Sequence, residues 1–194
     1  MSNKQIQSER IRSYFIQAAK EMLKGEGLRS VSTRSVAEKA GYSYATLYNY
    51  FKDINDLVFE CVKDFQLECE DFVKARTKKA KPGKEKLKAI TAAYADYFIE
   101  YPGTFELFFL ERIRGIDERT ELTNLIYKFL DKLCEDQWVI CINEGMDPGK
   151  VEQLKQQLRF TVAGLLLFYE TRRQPNNYQD FITLVNKMID DILE

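Results

Sequence analysis

The side chains best suited to chemistry lie in residues 42–52, which read YSYATLYNYFK. On a short helix, Leu47 and Phe51 are four residues apart and share one face, which we expect to be buried. Small and polar side chains then point outward, where Thr46 and Asn49 can reach base edges and tyrosine hydroxyls can bond phosphate oxygens. The chemistry predicted here is non-covalent recognition of a nucleic-acid duplex.

Two short helices are needed to hold these side chains in place. Ser32 can cap a first helix, which Gly41 would end because a glycine adopts the left-handed turn without a steric penalty. Ser43 can cap a second helix, expected over 44–51. Two helices joined by such a turn form a helix-turn-helix, whose second helix can enter the major groove.

The rest of the chain is also predicted to be helical. All four prolines fall at predicted breaks between helices, and apolar residues recur every three or four positions between them. No stretch alternates apolar and polar residues for long enough to predict a strand, so we expect an all-α chain of about nine helices. Besides the helix-turn-helix, the expected helices are one starting after Ser8, one from Asp53 to about Lys79, and others near 84–100, 102–113, 118–145, 149–172 and 177–193.

The last two helices carry more apolar surface than one subunit can cover. Residues 160–169 are apolar around the whole helix, and the final helix has a broad apolar stripe. We expect a second copy of the chain to cover this surplus, which predicts a homodimer. Gly164 either admits a close backbone or is simply a tolerated glycine. The candidate interface residues are Phe160, Ala163, Gly164, Leu167, Phe181, Leu184, Val185 and Met188.

Composition argues against several other classes of protein. The chain has no histidine, no glycine-rich phosphate loop and no paired-cysteine metal spacing, so we expect no enzyme, no cofactor and no metal site. Residues 1–56 carry 9 Lys and Arg against 6 Asp and Glu, while residues 57–194 carry 20 against 24. A mildly basic head on an acidic body suits a protein that contacts phosphates at one end.

The expected compartment is the cytoplasm, without membrane attachment. The N-terminus has no basic and then apolar leader, and the longest nearly apolar run is too short to span a bilayer. The four cysteines lack framework spacing, and we interpret them as reduced thiols. A bridge between helices or subunits stays open as an alternative.

The head resembles the DNA-binding domain of the tetracycline-repressor (TetR) family of bacterial transcriptional regulators. Close matching covers about residues 8–62, and the remainder resembles the family in helix number and placement. Two departures from the family pattern stand out. Ile54 stands where relatives often have a lysine that meets phosphate, and Tyr44 and Ala45 stand where a glycine often follows in relatives. The matching residues are Phe15, Ala18, Gly27, Thr33, Ala37, Gly41, Ser43, Thr46, Leu47, Tyr48, Tyr50, Phe51, Lys52 and Leu57.

The resemblance implies a three-helix head at 1–54, with its helix-turn-helix at 33–52, and a ligand-binding and dimerisation body at 55–194. It implies a homodimer on a palindromic DNA operator, acting as a repressor that a small molecule releases. The DNA-binding residues implied are Thr33, Arg34, Ser43, Tyr44, Ala45, Thr46, Tyr48, Asn49, Tyr50 and Lys52.

The resemblance also implies an effector pocket in the body. Its aromatic residues together suggest an apolar or aromatic effector, although each ring taken singly is more typical of a core than of a pocket. Arg112, Arg114 and Arg159 are candidates to pair with an anionic head group, or are simply surface charges. The candidate pocket residues are Tyr94, Tyr97, Phe98, Phe105, Phe108, Phe109, Tyr127, Trp138 and Phe168.

Two alternatives stay open at this point. The chain could be a redox-responsive repressor of the same fold, sensing through cysteines on different helices. It could also be a helical interaction module that binds neither DNA nor a ligand.

Overall fold

The computed structural model describes residues 2–111 and 120–194, leaving aside the side chains of 120–123. Over this part of the chain there are ten α-helices and no strand, so the predicted all-α fold is confirmed. A 3-10 turn at Leu28–Ser30 precedes α2, and a π-helical turn at Glu106–Leu110 continues α6. The helices are α1 Asn3–Glu26, α2 Thr33–Ala40, α3 Tyr44–Leu47, α4 Ile54–Arg76, α5 Lys84–Glu100, α6 Pro102–Phe105, α7 Thr120–Tyr127, α8 Phe129–Asn143, α9 Pro148–Arg172 and α10 Tyr178–Leu193.

The first helix starts earlier than the prediction of a start after Ser8. Ser2 is the N-cap, and its hydroxyl accepts a hydrogen bond from the Gln5 amide while the Gln5 side chain accepts one from the Ser2 amide. This reciprocal capping box satisfies the backbone amides of Ser2 and Gln5 and so favours a helix start at Asn3.

The predicted helices at 102–113 and 118–145 are also corrected. The first ends at Leu110, because Glu111 is extended. The second is divided at Lys128 into α7 and α8, although the Lys128 amide still bonds the Asn124 carbonyl at 2.9 Å. The break is therefore a distortion of one residue. The parts of both predictions that fall on residues 112–119 lie outside the described residues.

The chain divides into two compact units. Unit 1 comprises the residues up to Gln66 together with 101–123, and unit 2 comprises 67–100 and 124–194. In unit 1, α1 buries apolar side chains at spacings of three and four, as an amphipathic helix does. The buried residues of α1 are Phe15, Ala18, Ala19, Met22 and Leu23.

Unit 2 has an aromatic core. Tyr94 and Phe98 on α5 form an edge-to-face pair with ring centroids 4.9 Å apart, and Phe72 meets Tyr97 in the same way at 5.4 Å. Such pairs add to the free energy of burial. The predicted domain boundary after residue 54 stays a prediction. No helix of the described residues has both the length and the apolar character to cross a membrane.

Candidate nucleic-acid interface

Local hydrogen bonds define both ends of α2, the first helix of the helix-turn-helix. Ser32 and Ser35 form a capping box at the start of α2, with bonds of 2.9 and 3.1 Å. Gly41 ends α2 in the left-handed region at φ 78°, where a side chain would be strained. The Tyr42 amide then bonds the Ala37 carbonyl at 2.9 Å, the closure typical of a helix C-terminus. The end of α2 is therefore fixed by these contacts, and α3 begins three residues after Gly41, at Tyr44.

Helix α3 is shorter than the predicted span of 44–51. Its α-helical part ends at Leu47, after which the Asn49 amide bonds the Thr46 carbonyl at 3.1 Å and the Tyr50 amide bonds the Leu47 carbonyl at 3.0 Å. These three-residue bonds tighten the chain into a turn over residues 48–50. Asn49 and Tyr48 therefore lie on this tighter turn.

The side of this segment that faces the unit 1 core matches the prediction. Leu47 and Phe51 are both fully buried, whereas Tyr44 is 62% and Tyr48 54% exposed. Of the other predicted DNA-binding residues, Thr33, Thr46 and Tyr50 are half-buried. The exposed ones are Arg34, Ser43, Ala45, Asn49 and Lys52.

The structure explains why so many rings crowd this segment. Tyr42 and Tyr50 pack against Phe15 of α1, with centroids 5.4 and 6.0 Å from it, and Phe51 meets the same ring edge-on at 6.4 Å. Three of the rings thus fix the helix-turn-helix to α1. The remaining two, Tyr44 and Tyr48, face solvent.

Ser43 and Thr46 are the two predicted DNA-binding residues that touch through their side chains. The Ser43 hydroxyl caps α3 by accepting a hydrogen bond from the Thr46 amide at 3.1 Å, and the two hydroxyl oxygens are 2.8 Å apart. Both hydroxyls take part in hydrogen bonds within the segment, so Ser43 and Thr46 help to fix its conformation.

The start of α4 is held by two carboxylates. Asp53 accepts a hydrogen bond from the Asp56 amide at 2.9 Å, the bond by which an acidic side chain caps a helix start. The Asp56 carboxylate accepts a hydrogen bond from the Lys52 amide at 3.3 Å. Both bonds use backbone donors, so the Lys52 ammonium is still exposed.

Sequence reasoning did not single out Tyr14. It is 52% exposed, and its ring stacks on Tyr42 with centroids 6.3 Å apart and planes inclined by 22°. The only signal in the sequence was an aromatic residue outside the apolar face of α1.

The residues predicted for the dimer interface divide into exposed, half-buried and core positions. Phe160 is 59% exposed and Leu167 is exposed, while Gly164 has no atom within 4 Å of a Cβ added there. Phe181 and Val185 lie in the core of unit 2. The half-buried members are Ala163, Gly164, Leu184 and Met188.

The residues predicted for the effector pocket also divide. In unit 2, Tyr94, Tyr97, Phe98 and Trp138 are buried, and burial raises the pKa of Tyr94 well above its usual value. Tyr127 and Phe168 are exposed, which places Phe168 on the outer surface rather than in the interior. In unit 1, Phe105 and Phe108 are buried and half-buried Phe109 stacks on Phe105 at 5.2 Å.

Arg159 is a buried charge rather than a surface one. It forms an ion pair with Asp131 and lies 4.4 Å from the ring centroid of Tyr127. Desolvation raises the pKa of Asp131, although the Arg159 guanidinium opposes that shift. Arg112 and Arg114 lie outside the described residues.

All four cysteines are buried free thiols. Burial raises the pKa of Cys61 and of Cys134 to about 12, and raises the pKa of Cys69 and Cys141 as well. Thiols attack and oxidise as thiolates, so these cysteines are poorly reactive at neutral pH.

Comparison with known proteins agrees with the resemblance inferred from the sequence. Residues 15–61 match the family described as "Bacterial regulatory proteins, tetR family". Similar solved structures include the regulator FadR from Bacillus subtilis in complex with stearoyl-CoA, at 20% identity and a TM-score of 0.72, covering 93% of this chain and 96% of that one.

Two further structures share the fold. The fatty acid degradation regulator FadR from Bacillus halodurans has 17% identity and a TM-score of 0.71, covering 94% of each chain. A putative TetR-family transcriptional regulator from Rhodococcus sp. has 16% identity and a TM-score of 0.73. The match covers 95% of this chain and 100% of that one.

Proposed function

We propose that this chain, whose residues 15–61 match the TetR family of bacterial regulatory proteins, is a ligand-responsive transcriptional repressor. It binds a DNA operator as a homodimer and is released by a small apolar or aromatic effector. Residues 1–54 form the DNA-binding domain in this proposal, and residues 55–194 bind the effector and the second subunit.

The observation that carries the proposal is the exposed surface of the helix-turn-helix. Leu47 and Phe51 are buried, so the opposite side of the segment is free to enter a groove. Tyr44 and Tyr48 present large exposed rings with hydroxyl tips there, and Asn49 beside them is exposed. Phenol and amide groups are common partners of phosphate oxygens and base edges.

Each residue has a distinct role in this proposal. Tyr48, Tyr50 and Lys52 contact phosphates, and Asn49 reads a base edge. Thr33 and Arg34 approach the backbone from the start of α2, while Ser43, Tyr44, Ala45 and Thr46 lie at the start of α3 and allow close approach.

Two subunits are needed because one recognition segment contacts only a few base pairs. Specific sites require affinities roughly 10³ or more above non-specific binding, which two heads on half-sites one turn apart can supply. The exposed rings of Phe160 and Phe168 on α9 support a pairing surface there. Gly164, with open space around it, would let a second backbone approach. Phe181 and Val185 would support that surface from beneath.

The effector is proposed from the aromatic content of the body and from the fold. The Bacillus subtilis neighbour of this fold was solved with stearoyl-CoA, which supports a largely apolar ligand. Release follows if the effector binds more tightly to the conformation with low DNA affinity. Couplings of about 1–3 kcal/mol are typical of such regulators.

The redox alternative has less support. Burial and raised pKa values disfavour all four thiols as sensors. The interaction-module alternative is tested directly by DNA binding.

The test is a titration of labelled duplex DNA of random sequence at several salt concentrations. A DNA-binding head gives a steep fall of affinity with salt, because phosphate contacts release counterions. Tyr48→Phe and Lys52→Ala should weaken binding to all duplexes alike, and Lys52→Ala should also reduce the salt slope. Asn49→Ala should change sequence preference once an operator has been selected from genomic fragments. If all three variants bind like the wild type, the proposed interface is wrong.

A further inference from the structure

The first turns of α1 carry an exposed row of hydrogen-bond donors that the match at residues 15–61 does not include. Asn3, Gln7, Arg10 and Tyr14 follow one another at spacings of four, three and four, so they share one face of the helix. All four are exposed. We call this set the α1 donor row.

The α1 donor row is ordered rather than frayed at its start. The Ser2–Gln5 capping box fixes the first turn of α1, so the helix begins at Asn3. From Asn3 to Tyr14 the row extends roughly 16 Å at about 1.5 Å per residue. That length is enough to contact more than one phosphate of a DNA strand, because successive nucleotides of the strand are separated by about 3.4 Å along the duplex axis.

The Tyr14–Tyr42 stack places one end of the row beside the helix-turn-helix. Tyr42 directly precedes Ser43, the cap of α3, and Tyr14 lies against its ring at 6.3 Å. The α1 donor row thus ends next to the start of α3, within unit 1. A duplex that meets the start of α3 would have its backbone close to Tyr14.

The chemistry of the row favours an anionic partner. Arg10 contributes one positive charge, the row contains no carboxylate, and the nearby Glu9 lies off this face by about one residue, or roughly 100°. Across the part of the chain that the structure describes, Arg10 forms no ion pair and the Tyr14 hydroxyl has no hydrogen-bond partner. By contrast, Arg12 forms an ion pair with Glu60 at 2.9 Å and lies over the ring of Phe51.

We propose that the α1 donor row is a second DNA-backbone contact, in which Arg10 and Tyr14 bond phosphates flanking the bases read by the helix-turn-helix. This inference rests on the proposed function and extends its contact surface to α1. It predicts a contribution to affinity that is independent of DNA sequence, because phosphate contacts carry no base information.

The experiment measures binding of full-length Arg10→Ala, Tyr14→Phe and Ser13→Ala to random-sequence duplex across a salt series. Arg10→Ala should reduce the slope of log affinity against log salt by about 0.9 for each subunit that contacts DNA. Tyr14→Phe keeps the ring stack on Tyr42 and should lower affinity about tenfold to a hundredfold, the loss of one hydrogen bond to a charged group.

Ser13→Ala is the matched control. Ser13 is exposed on the same helix, but its hydroxyl already donates to the Arg10 carbonyl at 2.7 Å, so its removal should leave DNA affinity unchanged. The result that overturns the proposal is wild-type affinity and slope for both Arg10→Ala and Tyr14→Phe while Lys52→Ala is weakened. If Lys52→Ala and Tyr48→Phe also bind like the wild type, the proposed function fails together with the α1 contact.

Discussion

The hydroxyl of Ser43 accepts a hydrogen bond from the backbone amide of Thr46 at 3.1 Å, which starts a helix of only four residues. A helix this short cannot be stable by its own propensity, since nucleation is costly. Its position depends on this cap and on the burial of Leu47 and Phe51. The cap therefore links local stability to the placement of the exposed side chains.

Replacing Ser43 with alanine should remove the cap and lower the free energy of unfolding by about 1 kcal/mol. Urea unfolding followed by circular dichroism measures this loss. Ser43→Asn is the control, because asparagine is also a good N-cap and should stay close to wild-type stability. Equal stability of wild type and Ser43→Ala would show that the cap contributes nothing in solution.

Replacing Phe168 with glutamate should dissociate the proposed homodimer. Phe168 is 60% exposed on α9, so a charge is tolerated in a single subunit but is desolvated in a dimer that covers this face. Sedimentation equilibrium at micromolar concentration should give a dimer for the wild type and a monomer for the variant.

Val139→Glu on α8 is the matched control for this experiment. Val139 is an apolar residue of similar exposure, 54%, outside the predicted interface, so this variant should stay dimeric. A Phe168→Glu protein that sediments as a dimer would place the interface elsewhere. A wild-type protein that sediments as a monomer would exclude the homodimer itself.

The helix-turn-helix could be predicted from the sequence because its signals are local. Ser32, Gly41 and Ser43 each determine a helix end within a few residues, and the structure places caps or a left-handed turn at all three. The start of α1 was missed although a local signal existed. Ser2 and Gln5 have capping-box spacing, whereas Ser8 has Ile11 at the corresponding position.

Contacts between distant positions could not be predicted from the sequence. The ring of Phe15 packs against those of Tyr42, Tyr50 and Phe51, which are 27 or more residues away in the chain. Helical periodicity gives the face of a residue but not its partner. The same reason explains Arg159, which reads as an ordinary charge in the sequence and pairs with Asp131 across α8 and α9.

The cysteines should be almost inert to alkylation in the native protein. At pH 8, a thiol with a pKa of about 12, as for Cys61 and Cys134, is ionised to only about one part in ten thousand. Because the pKa is raised, the thiolate fraction increases only when the pH approaches about 12. The rate of alkylation at Cys61 and Cys134 should therefore stay low up to pH 9. Iodoacetamide labelling with mass spectrometry measures it.

Cys141 should react first among the four thiols. It lines an open groove of about 550 Å³ in unit 2 together with Lys84 and Met146, which gives a reagent access that the core thiols lack. Unfolding in urea should make all four cysteines reactive. Rapid disulfide formation in the native protein under mild oxidant would instead favour the redox-responsive alternative.

Replacing Gly103 with alanine should destabilise unit 1 by about 1–3 kcal/mol, the usual cost of overpacking. A Cβ at this position would lie 2.3 Å from the Leu23 carbonyl oxygen and 2.7 Å from that of Lys24, and both are backbone atoms at the end of α1 that cannot rotate away. Gly25→Ala is the matched control, because a Cβ there meets nothing within 4 Å and a glycine within a helix loses more chain entropy on folding. The free energy of unfolding of Gly25→Ala should rise by about 0.4–1 kcal/mol. Urea unfolding of both proteins decides the matter: a Gly103→Ala protein as stable as the wild type would show that α6 does not approach the end of α1 this closely in solution.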